Sequence, residues 1–138
     1  MASFTFERKV NLPLNKVWAL IGDWGQTPGP DIQVKIEKEG DPAQHGAGTI
    51  RTIKIGNVKV REVLDSASPP NSFNYRIIGN PLMKEYIGHA NFEDDAGSTK
   101  IRWQADIKPM IPLTGPICVK LATGSVSKLI DSLEKHNA

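Results

Sequence analysis

The stretch GTIRTIKIGNVKVREVL, residues 48–64, carries two opposite charges on the apolar side of a predicted β-hairpin. Gly56-Asn57 separates two alternating runs, which is typical of a two-residue hairpin turn. That turn predicts three facing pairs on one side of the hairpin: Ile55 with Val58, Ile53 with Val60, and Arg51 with Glu62. Charges on an apolar face are costly unless they are paired or functional. Two hypotheses follow: the pair holds the register of a solid core, or it meets a ligand in a cavity.

The chemistry open to this pair is acid-base chemistry or the binding of a polar group. Desolvation and the charge of Arg51 would both act on the pKa of Glu62, which could then bind a ligand hydroxyl or transfer a proton. Tyr75 and Tyr86 combine an apolar ring with a polar tip, which suits orientation of the polar end of an apolar ligand. The alternatives stay open, because ion pairs and tyrosines are also common structural elements of half-buried faces. Trp103 and Trp24 are interpreted as packing residues that could also stack on a ligand ring.

Other site chemistries lack the residues they require. The histidines, His45, His89 and His136, are far apart in sequence, and no pair has the spacing of metal ligands. Cys118 has no histidine partner at a suggestive spacing and is interpreted as a small buried hydrophobe. The sequence has no nucleophile elbow, P-loop or dinucleotide fingerprint. We therefore expect no metal and no other cofactor.

The length and the charge of the chain limit the classes of protein to which it can belong. The 138 residues predict a single domain, residues 1–138. The formal net charge is +2, with 17 basic and 15 acidic residues spread along the chain, so we expect no nucleic-acid partner. The apolar runs are too short for an integral membrane segment, and the N-terminal residues do not resemble a signal peptide. Together with the single cysteine, these features predict a cytoplasmic protein.

Hydrophobic periodicity predicts the elements that position the candidate residues. Residues 3–10 alternate, with Arg8 on the apolar side, and a short amphipathic helix begins at Pro13. After the GQTPGPD break come a strand around Ile32–Ile36, the loop EGDPAQHGAG and the hairpin described above. SASPPNS is predicted to be a loop, because tandem prolines cannot lie in a central strand. The later elements are strands around Phe73–Ile77 and over residues 82–92, a seventh strand ending at KPMIP, and a helix from Leu113 to His136.

The turn between the sixth and seventh strands is predicted to be the four-residue loop DDAG, residues 94–97. The register that follows is Phe92 with Thr99, Ala90 with Ile101, Gly88 with Trp103, and Tyr86 with Ala105. In that register the indole of Trp103 would cover the bare backbone of Gly88. Lys84 would start opposite Ile107 and reach solvent.

The last helix predicts a cavity. Its expected apolar stripe comprises Ile117, Leu121, Val126, Leu129, Ile130 and Leu133. The middle of the helix, ATGSVS at residues 122–127, has small side chains that would leave space above the sheet. We expect a cavity bounded by Ile53, Val60, Tyr75, Tyr86, Trp103 and Leu121. The full set of predicted ligand-binding residues adds Arg51, Ile55 and Glu62.

The order of motifs resembles the START-like helix-grip superfamily (SRPBCC proteins), in particular its polyketide cyclase/dehydrase and lipid-transport branch. The matching residues are Pro13, Val17 and Trp18 at the first helix, Gly48 and Arg51, Glu62, and Tyr75. The resemblance implies an α+β fold in which a seven-stranded antiparallel sheet curls around the C-terminal helix and encloses an apolar ligand cavity. Plant abscisic-acid receptors of this fold carry a cavity lysine after the first helix and a longer gate loop. Both are missing here, so the sequence does not favour a hormone receptor.

Three functions are compatible with this sequence. The first is a carrier or sequestering protein for a small hydrophobic molecule such as a lipid, polyketide or aromatic compound. The second is a cyclase, aromatase or dehydratase that would use Glu62, Tyr86 and Arg51 in acid-base catalysis. The third is an interaction module, because Ile50 and Val63 should face each other on the outer side of the hairpin, where an apolar pair can form a dimer patch. A monomer or weak homodimer is expected.

Overall fold

A computed structural model describes residues 2–40 and 46–137 of the chain. The expected loop EGDPAQHGAG falls partly, and His45 wholly, outside the described residues. The elements in chain order are β1 (Ala2–Val10), α1 (Leu14–Val17), a π-helical turn (Trp18–Gly22), β2 (Ile32–Lys38), β3 (Ile50–Ile55), β4 (Val58–Ser68), β5 (Ser72–Ile78), β6 (Met83–Asp95), β7 (Ser98–Pro109) and α2 (Gly115–Asn137).

The seven strands form one antiparallel sheet in the order β1-β7-β6-β5-β4-β3-β2. Helix α2 contacts β1 and β7 at one side of this sheet and β3 near the other. One helix can reach both sides only if the sheet curves around it. The predicted fold class, a curled antiparallel sheet around a long C-terminal helix with one or two short helices after the first strand, is therefore confirmed.

The β3–β4 hairpin has the predicted register, with Arg51 opposite Glu62 and Ile55 opposite Val58. Gly56, in the turn, has a φ of 60°, which glycine adopts without the steric cost that a Cβ would bring. Because side chains alternate along a strand, this turn fixes which residues face the helix.

The predicted β6–β7 register is wrong by two residues. The turn is two residues long rather than four, because Ala96 and Gly97 have φ angles of 53° and 90° and Asp95 already pairs with Ser98. The observed pairs are Phe92 with Ile101, Ala90 with Trp103, Gly88 with Ala105, and Tyr86 with Ile107. A shift of two keeps every side chain on its predicted face.

Two details of the predicted β6 change with this register. The ring of Tyr75 on β5, not the indole of Trp103, covers Gly88, since a Cβ at Gly88 would clash with that ring. Lys84 lies at a register shift between Met83 and Glu85 and is exposed, so it has no position opposite Ile107.

The predicted SASPPNS loop is shorter than expected. Ser66, Ala67 and Ser68 belong to β4 and pair with β5, after a register shift that follows Leu64. Only residues 69–71 form the turn, and they include both prolines, which lack the N–H that a central strand would need.

The buried face of α2 differs from the predicted stripe in its first half. Val126, Leu129, Ile130 and Leu133 are buried as predicted, whereas Ile117 and Leu121 are 58% and 42% exposed. Cys118 and Ala122 are buried in their place. One residue along a helix rotates the side chain by about 100°, so the sheet-facing line runs through 118, 122 and 126 rather than 117 and 121.

Candidate functional site

A cavity of about 230 Å³ lies between the sheet and α2. Its lining includes all nine residues that the sequence predicted to bind a ligand: Arg51, Ile53, Ile55, Val60, Glu62, Tyr75, Tyr86, Trp103 and Leu121. The structure therefore brings the predicted residues together, while their contact with a ligand remains a prediction. The small residues Ala122 and Ser125 form part of the helix wall, as the short side chains of this segment suggested.

The lining includes nine residues outside the predicted ligand-binding set: Val58, Ile77, Asn80, Leu82, Met83, Ala122, Ser125, Val126 and Leu129. Of these, Ala122, Ser125 and Val126 belong to the helix segment where the sequence predicted the cavity. Strand alternation could have identified Ile77, because it shares a face with Tyr75. Asn80 and Leu82 lie between β5 and β6, where no periodic pattern reports which way a side chain points.

The opening of the cavity is marked by lining residues that are also exposed. Leu82 before β6 and Leu121 on α2 are 46% and 42% exposed, and Val58 at the β3–β4 turn is also exposed. A ligand would enter between these three apolar side chains.

Arg51 and Glu62 form a buried ion pair in the cavity wall. Arg51 Nε donates a hydrogen bond of 3.0 Å to Glu62 Oε1, and the two residues are only 5% and 7% exposed. Arg51 Nη1 also donates to the backbone oxygen of Trp24 at 3.2 Å, and its guanidinium carbon lies 4.0 Å from the centre of the Trp24 ring. These contacts hold the guanidinium in one orientation.

Trp24 has a larger role than the packing position that the sequence suggested. It lies between Arg51 and the aromatic core, with its ring 5.9 Å from Phe73 and 6.1 Å from Tyr75 in edge-to-face geometry. Its indole nitrogen Nε1 is buried and has no hydrogen-bond partner among the described residues. Its position after the π-helical turn allows its ring and carbonyl to meet Arg51.

The environment of Glu62 acts on its proton affinity in two directions. Burial raises the pKa of Glu62 above its ordinary value, and the charge and hydrogen bond of Arg51 oppose that rise without cancelling it. Glu62 Oε2 receives no hydrogen bond from residues 2–40 or 46–137, so this oxygen is open to a polar ligand group.

The two cavity tyrosines and Trp103 form a hydrogen-bonded chain. Trp103 Nε1 donates to the Tyr75 hydroxyl at 2.8 Å, and the hydroxyls of Tyr75 and Tyr86 are 2.7 Å apart. Burial raises the pKa of Tyr75 and of Tyr86 far enough that both hydroxyls stay protonated at neutral pH, and the negative charge of Glu62 adds to the rise. Phe73 contacts Trp103 edge-to-face, with ring centroids 5.6 Å apart, and so stabilises the position of the indole.

The remaining candidate residues lie away from the cavity lining. Arg8 forms ion pairs with Asp131 at 2.6 Å and Glu134 at 3.1 Å, which tie β1 to α2. Cys118 is buried, with Sγ 3.5 Å from the backbone oxygen of Leu82. His89 bonds Asn74 through Nδ1. Within the described ranges, no three His, Cys, Asp or Glu side chains are grouped as a metal site would require.

No helix in the part of the chain that the structure describes is long and apolar enough to cross a membrane.

Comparison with known proteins places the whole chain in one family. Residues 1–136 match the sequence profile of the family described as polyketide cyclase / dehydrase and lipid transport. No curated protein matches the sequence.

Several solved structures share the fold. The protein XoxI from Bacillus cereus is 18% identical, with a TM-score of 0.76 over 98% of this chain and 94% of that chain. A START superfamily protein from Mycobacterium smegmatis is 13% identical, with a TM-score of 0.76 over 98% and 96% of the two chains. Ara h 8.0201 is 18% identical, with a TM-score of 0.72 over 96% and 94%. At these identities the similarity shows the fold alone.

Proposed function

Because the chain belongs to the polyketide cyclase/dehydrase and lipid transport family, we propose that it binds a small hydrophobic molecule between the sheet and α2, as a carrier or sequestering protein. The observation that carries this proposal is the cavity of about 230 Å³, whose wall is largely apolar and contains one buried ion pair. An apolar pocket with few polar groups is the usual form of a small-molecule site. Arg51 and Glu62 would anchor the polar end of the ligand.

The direct test is titration with an apolar dye whose fluorescence depends on its environment, followed by displacement with lipid, sterol and aromatic compounds. Ala122 is buried in the cavity wall, so Ala122→Phe should fill the cavity and abolish stoichiometric binding. Gly124→Phe is the matched control on the same helix, because a Cβ at Gly124 has no neighbour within 4 Å. Equal dye binding by Ala122→Phe and Gly124→Phe would contradict the proposed site.

A second candidate function, a cyclase, aromatase or dehydratase, is supported by the state of Glu62. Burial raises the pKa of this carboxyl above its ordinary value, which makes its carboxylate a stronger proton acceptor than a free one. The tyrosine hydroxyls stay protonated, since their pKa values are raised away from neutral pH, so they could donate hydrogen bonds to a ligand but would not act as bases. An enzyme of this kind would convert a bound poly-β-ketone into a product that has lost water, and Glu62→Gln would not. Mass spectrometry of the bound compound separates the two functions, since a carrier returns its ligand unchanged.

The proposal also includes the partners and location expected from the sequence. We propose a monomer or weak homodimer that acts in the cytoplasm without a nucleic-acid partner. Ile50 and Val63 do face each other across β3 and β4, but both are half-buried rather than fully exposed. Light scattering across a concentration series measures the oligomeric state.

A further inference from the structure

The chain of Trp103, Tyr75 and Tyr86 contains one more proton than its internal hydrogen bonds use. It has three donors, one N–H and two O–H groups. The Trp103–Tyr75 bond of 2.8 Å uses the N–H, and the Tyr75–Tyr86 contact of 2.7 Å uses one hydroxyl proton. Whichever tyrosine donates to the other, one hydroxyl proton is left over.

The remaining proton has no acceptor in the described protein. Trp103 also contacts the Tyr86 hydroxyl, but its N–H can only donate, and among residues 2–40 and 46–137 neither hydroxyl has a further acceptor. Both tyrosine side chains line the cavity, and each residue is nearly fully buried. A buried donor without a partner costs free energy, so a group that accepts this proton would bind favourably.

We propose that this hydroxyl donates to a neutral carbonyl oxygen of the ligand, so that the cavity selects hydrophobic ketones or similar carbonyl compounds over hydrocarbons of the same shape. The inference rests on the proposed function, because it names the class of ligand for the same cavity.

Two properties of the site favour a carbonyl over other oxygen groups. A carbonyl oxygen only accepts and so needs nothing beyond this donor, whereas a ligand hydroxyl brings its own proton and would have to reach Glu62 Oε2 as well to be satisfied. A carboxylate would bring negative charge to a place where the field of Glu62 already raises the pKa of Tyr75 and Tyr86. The neutral carbonyl matches the donor without either cost.

The test compares acetylnaphthalene with ethylnaphthalene, substituted at the same ring position, as ligands of wild type and of Tyr75→Phe/Tyr86→Phe. Both hydroxyls are replaced, because either single variant leaves one hydroxyl that can still donate. The comparison is also made in a Trp103→Phe background, because loss of the Tyr75 hydroxyl frees the Trp103 N–H to donate to the ketone in its place. The same two ligands are titrated into both proteins. The difference between their hydration free energies therefore cancels when the two affinity ratios are compared. We expect the ketone-to-hydrocarbon affinity ratio to fall about 3- to 10-fold in the double variant, as for one hydrogen bond.

Two controls keep the result interpretable. Ile53→Val changes the cavity wall without touching the chain and should weaken both ligands alike, leaving the ratio unchanged. The infrared carbonyl stretch of bound acetylnaphthalene should lie at lower wavenumber in wild type than in the double variant, which reports the hydrogen bond directly.

The outcomes distinguish this inference from the proposed function. If both ligands bind wild type and the affinity ratio is the same in the double variant, the inference is wrong and the function stands. The same holds if the carbonyl stretch is identical in the two proteins, since the proton then goes to water. If wild type binds neither ligand, the proposed function fails and the inference fails with it.

Discussion

Arg51 Nε lies 3.0 Å from Glu62 Oε1 in the wall of the cavity between the sheet and α2, and both residues are almost fully buried. Because both residues are buried, each charge has lost its hydration, and the interaction with its partner offsets that desolvation cost. Either charge without its partner would destabilise the fold. The pair can thus be essential to stability and still be available to a ligand through Glu62 Oε2.

The first prediction separates these two roles. Arg51→Met and Glu62→Leu, each alone, should lower the free energy of unfolding by about 3 to 5 kcal/mol, because each leaves a buried charge unpaired. The double variant should recover much of that loss. Denaturant unfolding at neutral pH measures all three.

Ligand binding by the same double variant tests the anchor. If the pair binds a polar group, the variant should lose about 1.5 to 3 kcal/mol of affinity for a ligand with a hydroxyl, and nothing for its purely apolar analogue. Equal affinities of wild type and double variant for both ligands would leave the pair with a structural role only.

The second prediction concerns pH. Burial raises the pKa of Glu62 above its ordinary value of 4.5, so the folded protein holds this proton more tightly than the unfolded chain does. Tighter proton binding by the folded state stabilises the fold. This contribution of Glu62 to the free energy of unfolding is complete below pH 4.5 and is lost as the pH rises through the folded-state pKa. The unfolding free energy of wild type, relative to Glu62→Gln, should therefore fall as the pH rises through this window.

An exposed carboxylate provides the control for this pH dependence. The hydrogen bond from Arg61 lowers the pKa of Glu37, so its contribution is present above the ordinary pKa and is lost as the pH falls. The unfolding free energy of wild type, relative to Glu37→Gln, should thus rise with pH, which is the opposite slope to that for Glu62→Gln. If Glu62→Gln gave the same slope as Glu37→Gln, the pKa of Glu62 would be lowered rather than raised.

The third prediction concerns entry to the cavity. Leu121 is exposed and lines the opening, so Leu121→Trp should narrow it and slow both association and dissociation of a dye severalfold, with less change in affinity. Ile117 lies one turn earlier, is exposed and does not line the cavity, which makes Ile117→Trp the matched control. Stopped-flow fluorescence gives both rates, and equal slowing by the two variants would place the entry elsewhere.

The sequence predicted the sheet faces better than it predicted contacts along them. Because side chains alternate with period two, a wrong turn length between β6 and β7 shifted the register by two and still placed Tyr86 and Trp103 in the cavity wall. In α2, by contrast, a small positional error did change the face, because one residue along a helix rotates the side chain by about 100°. Leu121 was therefore predicted to be buried and is exposed.

The missed parts of the site depend on contacts between distant segments. The stacking of Arg51 on Trp24 joins residues 27 positions apart, and no local pattern reports that the carbonyl of Trp24 points toward Arg51. The hydrogen bond between Trp103 and Tyr75 joins residues 28 positions apart. It depends on the β6–β7 register, which was predicted two residues away from the observed one. Face assignment needs only alternation, whereas hydrogen bonds need the packed positions of whole elements.

The last prediction uses Gly88, whose bare backbone supports the ring of Tyr75. A Cβ at Gly88 would lie 2.9 Å from the Tyr75 hydroxyl oxygen and closer still to the ring carbons, so Gly88→Ala must displace the tyrosine. We expect a loss of about 1 to 3 kcal/mol of stability, as for other overpacked sites, together with a weaker Tyr75–Tyr86 contact. Gly124→Ala is the control, because it meets no neighbour and should stabilise the helix by up to about 1 kcal/mol. Tyrosine fluorescence and denaturant unfolding check both variants. If Gly88→Ala were as stable as wild type and kept its ligand affinity, the position of Tyr75 would not depend on Gly88, and the cavity wall would be more adaptable than its close packing implies.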